Sequence, residues 1–131
     1  MQILRPPGWP RPKGYSNGVV ASGRMVFLAG MVGWNEHEAF DSDDIAGQAR
    51  RALANIVTLL GEAGGGPDHI VRMTWFVADR DEYRARRKDL GRAYREIIGL
   101  HYPAMTVVEV AGFVEDGARV EIEATAVIPD G

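Results

Sequence analysis

Apolar residues along the chain follow two repeats, one of two residues and one of three to four, and the two alternate in blocks. Over residues 70–77 the alternation is strict. Val71, Met73, Trp75 and Val77 fall on one face of an extended strand, and Ile70, Arg72, Thr74 and Phe76 on the other. Ile45, Ala49, Ala52, Leu53, Ile56, Leu60 and Ala63 recur at helical spacing and draw a single stripe. Asp41, Ser42, Asp43 and Asp44 precede that stripe with capping oxygens and negative charge suited to a helix N-terminus, and Gly64-Gly65-Gly66-Pro67 ends it. A second helix is predicted from the capping-box spacing of Asp79 and Glu82, with Tyr83, Leu90, Tyr94, Ile97 and Ile98 as its apolar positions and Gly99 as its stop.

Four further apolar runs read as strands, over residues 18–21, 25–32, 105–111 and 119–128. The first two read as a hairpin around Ser22-Gly23-Arg24, and the last two are joined by the polar turn Glu115-Asp116-Gly117. Residues 1–14 contain Pro6, Pro7, Pro10 and Pro12 and predict an irregular leader, anchored by Trp9 and Tyr15. The order is ββαβαββ, an α+β domain with a mixed sheet and two helices on one face, spanning residues 1–131. Two helices cover one face only, yet the other mixes Ile70, Phe76 and Val127 with Arg72, Thr74, Glu121 and Glu123. A half-apolar face of this kind predicts a symmetric homo-oligomer.

Composition narrows the function classes. A hydrophobic fraction of 46% and a charged fraction of 25% are those of a globular domain. The absence of cysteine excludes thiolate metal sites, cysteine nucleophiles and redox pairs. The N-terminus lacks the apolar core of a secretory signal and no run approaches the roughly 20 residues of a membrane span, so the cytoplasm is the expected location. With 15 basic and 18 acidic residues the chain carries a net charge of −3, and nucleic acid is not an expected partner.

Among the candidate motifs, Gly64 to Gly66 leads into a strand and reads as a helix stop, since a phosphate cradle would open onto a helix N-terminus. His37, His69 and His101 lie far apart with no ligand spacing, so no metal site is expected. Arg84, Arg86, Arg87 and Lys88 read as a solvated helix face opposite Asp81, Glu82 and Asp89. Glu121 and Glu123 share one sheet face; packed against another subunit, such a carboxylate is desolvated and suited to proton transfer, whereas at an open edge it is only solvated.

Taken in order, Gly14-Tyr15-Ser16-Asn17, the Val26 to Met31 run with Ala29-Gly30, Gln48 through Asn55, the 70–77 strand, Tyr102-Pro103-Ala104-Met105-Thr106 with Glu109-Val110, and Val120-Glu121-Ile122-Glu123-Ala124 resemble the RidA (YjgF) family over nearly the whole chain. The resemblance implies a chorismate-mutase-like fold, a homotrimer with a small-molecule ligand in each intersubunit cleft, and cofactor-free, metal-free hydrolysis of reactive enamines and imines to a carbonyl compound and ammonia. It further implies that Glu121 orients or activates water, while Tyr15, Gly30 and Thr106 shape the cleft. In the deaminases an arginine grips the substrate carboxylate at the position of Met105, and Met31 stands where the family has glutamine. Both changes make the expected pocket more apolar. Lys88 is a candidate replacement cation and Trp34 a candidate pocket wall. Two functions follow: a deaminase of a non-standard imine or enamine, or an inactive trimer that binds a small metabolite.

Overall fold

The computed structural model describes residues 1–130. Six strands and three α-helices follow the order β1 (Gln2–Leu4), β2 (Gly18–Val20), β3 (Arg24–Val32), α1 (Ile45–Glu62), β4 (Ile70–Val77), α2 (Arg80–Ala85), α3 (Arg87–Ile97), β5 (Ala104–Glu109) and β6 (Val120–Ile128). The main sheet has the order β3-β6-β4-β5, with β4 and β5 parallel and the other neighbours antiparallel. This is the mixed α+β architecture expected, with its core between the sheet and the helices.

Helix α1 begins where the acidic cluster predicts. The Asp44 side chain accepts from the Gly47 N–H, and Ile45, Ala49, Ala52, Leu53, Ile56 and Leu60 are fully buried. They meet Met73, Trp75 and Val77 of β4 and Val120, Ile122, Ala124 and Ala126 of β6 in one cluster. Gln48 joins that buried face as a polar residue. Its amide N–H groups donate to Ser42 O and Gly117 O and its Oε1 accepts from the Arg119 N–H, so every strong hydrogen-bonding need is met.

Several expectations are corrected. Residues 18–21 and 25–32 do not form a hairpin. Strand β2 pairs instead with β1, antiparallel, with Leu4 opposite Gly18, so the leader contains a strand and residues 5–17 form a closed loop between paired ends. Trp9 and Tyr15 do not anchor that loop, being 60% and 42% exposed. Ser16 does: its N–H donates to Pro103 O and its hydroxyl to Tyr102 O, beside the start of β5. The second helix divides at Arg86, which leaves helical geometry (φ −105°, ψ 18°) where its guanidinium pairs with both Asp44 and Asp89. Ile70 belongs to the core, because a register shift between Ile70 and Arg72 turns it inward. Val127 keeps its outer-face position yet is buried.

The outer face of the sheet has no layer over it in the single chain. Phe27 is 71% and Met25 59% exposed there, and a groove of about 240 Å³ runs between Phe27, Arg72, Thr74, Glu123 and Thr125. No helix among the described residues is long and apolar enough to cross a membrane.

Candidate functional site

Strand β3 gains one residue relative to β6 between Leu28 and Met31, a bulge that carries Ala29 and Gly30. The bulge presses the Gly30 backbone against Glu121. A Cβ at Gly30 would lie 2.6 Å from Glu121 Oε2 and 2.9 Å from its Cδ, so only glycine admits the carboxylate in that position. Glu121 is half-buried, whereas Glu123, two residues on and opposite Thr74, is exposed. The parity that made the two look equivalent therefore hides a difference: one carboxylate is seated on backbone and the other faces solvent.

The loop after β3 is held close to this point. Trp34 O accepts from Asn55 Nδ2 (2.9 Å) and Arg51 Nε (3.3 Å), and the indole packs on Phe40 with ring centroids 6.0 Å apart. Gly33 lies so close to α1 that a Cβ there would meet Gln48 O at 2.4 Å. This close approach of the Gly33 backbone to the Gln48 backbone carries no periodic signal in the sequence.

A second group gathers at the opposite end of the sheet. Tyr15 and Ser16 lie beside Ala104, and a cavity of about 540 Å³ opens there between the leader loop and the segment Leu100-His101-Tyr102. That segment is firmly placed. The Tyr94 hydroxyl donates to His101 O, the Tyr94 and Tyr102 rings stack at 5.3 Å, and His101 Nε2 donates to Ile70 O. Burial pushes the Tyr94 phenol far above its usual range, so it stays a donor.

The register fixes how far apart the groups are. Glu121 is level with Phe76 and Ala104 with Arg72, and Ser16 is one position beyond β5. Four residues along and three positions across separate Glu121 from Ser16, about 20 Å over the sheet. Glu121 leans toward β3, which increases the gap. Met31 sits opposite Ile122 near the Glu121 end, and Met105 opposite Met73 near the Tyr15 end. Both methionines are half-buried and pack against the core on the helix side, not on the outer face that carries Glu121. Thr106 is exposed at a position opposite Thr74, on the outer face. Lys88 is exposed in the first turn of α3, in the helix layer. A single chain thus unites Glu121 with Gly30, sets Trp34 just beyond the end of β3, and does not bring Tyr15, Thr106, Met105 or Lys88 to them. Among the described residues no three His, Asp or Glu side chains converge to hold a metal ion.

The family described as Endoribonuclease L-PSP matches residues 10–128. The chain is 30% identical to a RutC family protein of Synechocystis over 98% of both sequences. It is 32% identical to the 2-iminobutanoate/2-iminopropanoate deaminase of Escherichia coli over 80% of each. Its fold superposes on the Rid family protein YyfB from Yersinia pestis, a protein of unknown function, with a TM-score of 0.85 at 26% identity over 97% of this chain and 98% of that one.

Proposed function

The chain belongs to the RidA/YjgF family, the family described as Endoribonuclease L-PSP, and from that premise we propose that it is a cofactor-free hydrolytic deaminase of a reactive imine or enamine on a non-standard substrate, working as a homotrimer with clefts between subunits. The observation that carries this reading is the half-buried Glu121 carboxylate seated on the Gly30 backbone, on a sheet face that the chain leaves uncovered. The deaminase name borne by the Escherichia coli relative supports the reaction class. The distance of about 20 Å between Glu121 and the Tyr15 group supports a cleft between copies, because one small ligand touches both only when a second subunit brings its Tyr15 end to the first subunit's Glu121.

In this reading an enamine first tautomerises to its imine, gaining a proton on carbon and losing one from nitrogen. Water then attacks the imine carbon while Glu121 takes one of its protons; the C–O bond forms as the C=N pair moves onto nitrogen. The proton passes from Glu121 to that nitrogen, giving a carbinolamine; the hydroxyl proton then follows through Glu121 to the amine, the C–N bond breaks with its electron pair leaving on ammonia, and the carbonyl forms. One imine and one water give one carbonyl compound and one ammonia.

Met105 favours a second reading, a metabolite-binding protein without turnover, since no guanidinium stands at that position and the thioether packs against the core. The family description invites a third, ribonuclease activity, which the histidines do not support. His101 donates to Ile70 O, His69 Nδ1 accepts from the Gly66 N–H, and neither is paired with the other. Ammonia release from freshly generated 2-aminoacrylate separates the first two: a rate above buffer supports the deaminase, and a rate equal to buffer with a metabolite still bound supports the binding protein.

A further inference from the structure

The leader was expected to be irregular chain, yet the loop over residues 5–17 is closed at both ends. Leu4 pairs with Gly18, and Ser16 is bonded to Tyr102 and Pro103. Four prolines within it restrict the states open to the chain before and after folding. The cavity it forms with Leu100-His101-Tyr102 is lined by Arg5, Arg11 and Lys13 and by no carboxylate. None of these three cations makes an ion pair among the described residues, as is also true of Arg24, Arg72, Arg80, Arg87, Lys88 and Arg95; what sets the three apart is that they converge on one cavity without a carboxylate. Charge is segregated along the sequence as well, since the first acidic residue of this net-negative chain is Glu36.

A pocket of about 540 Å³ lined by three cations and no carboxylate, with the Tyr15 ring at its wall and a floor pinned by Tyr94 and His101, is suited to an organic anion. We propose that this leader pocket binds the carboxylate end of the protein's small-molecule ligand, with Arg11 and Lys13 as the principal cations and Arg5 as a third. It supplies the positive charge that Met105 cannot. The choice of a carboxylate rests on the reading that the ligand is a small imine or enamine acid; the presence of an anion pocket does not.

The test is calorimetric titration of the full-length protein with sodium 2-oxobutanoate and, separately, sodium succinate, at low and at high salt. Binding should weaken with salt. It should weaken by about tenfold or more in Arg11→Gln/Lys13→Gln, the loss expected when charge-assisted contacts to a carboxylate are removed. Arg92→Gln, a surface cation paired with Asp89, should bind as the parent does, and circular dichroism should report the same fold for all three. Equal affinity in the parent and the double variant overturns the proposal, as does tighter binding of inorganic phosphate or of a short oligoribonucleotide than of either carboxylate. Because the readout is binding, a protein that binds carboxylates through the leader but releases no ammonia leaves the pocket standing and removes the deaminase reading. Ammonia release that is indifferent to the double variant does the reverse.

Discussion

The two ends of the sheet are built on opposite plans. At the Glu121 end a β-bulge, a glycine with no room for a Cβ, and a half-buried carboxylate are packed with little freedom. At the Tyr15 end a proline-rich loop holds exposed cations around an open cavity. A fixed, partly desolvated carboxylate suits proton transfer, whose efficiency depends on placement within fractions of an ångström. An open cationic pocket suits capture of an anion, for which long-range field counts for more than fit. Under the proposed function the contrast divides the labour: one end would do chemistry, the other recognition, and the two would meet only across two copies.

Glu121→Gln gives the largest expected effect at the chemical end. It removes the proton-accepting charge with almost no change of shape, so turnover should fall about a hundredfold or more while thermal unfolding is unchanged. Glu123→Gln, at the exposed position, should leave both as they were. If both variants lose activity equally, the difference in burial between the two carboxylates has no functional meaning.

Gly30→Ala sharpens the same point with a smaller effect. The new methyl would meet the carboxylate end of Glu121, which can swing aside, so the fold should survive at a cost of about 1 kcal/mol or less. Displacing the carboxylate from its seat should lower turnover about tenfold. Normal kinetics in this variant would mean that the Gly30 contact only packs.

The smallest effect belongs to the scaffold that both ends share. Arg86 beside Asp44 holds that carboxyl below the usual range, assisted by the Gly47 N–H. Its folded pKa lies under the unfolded value near 3.9, so the pair stabilises the protein above about pH 4 and that contribution is lost as pH falls through the depressed folded value. Asp44→Asn keeps a side-chain oxygen for the cap and removes the charge. The pair is exposed to solvent screening, so the variant should lose only a little stability, seen in urea unfolding at pH 7 and diminishing as pH falls below about 4.

How much of this was legible in the sequence depended on length and locality. Helix α1 and strands β4 and β6 have enough residues for their period to show, and their cores follow it. Strands β1 and β2 have three residues each, too few for alternation to register, and the partner of β2 was chosen by the leader and not by the nearby turn. The break at Arg86 contains neither glycine nor proline and comes from a tertiary ion pair. At the site, parity on the strand marked Glu121 and Glu123 alike and only the family resemblance singled out Glu121; its contact with Gly30 depends on the bulge in β3, which leaves no periodic signal. Arg5, Arg11 and Lys13 gave no signal, because cations in a proline-rich segment look like any solvated tail until the loop is seen to close.

Mixed oligomers test the central claim, that the Glu121 end and the Tyr15 end complete one site only across two copies. Glu121→Gln and Tyr15→Ala proteins would each be assayed alone for ammonia release, then unfolded together at equal amounts, refolded and assayed again. If each site takes Glu121 from one subunit and Tyr15 from another, the separate variants are nearly inactive and random mixing restores about a quarter of parental activity, since each half is intact with even odds. No recovery in refolded, correctly sized mixed oligomers would place both halves within one chain and contradict the claim.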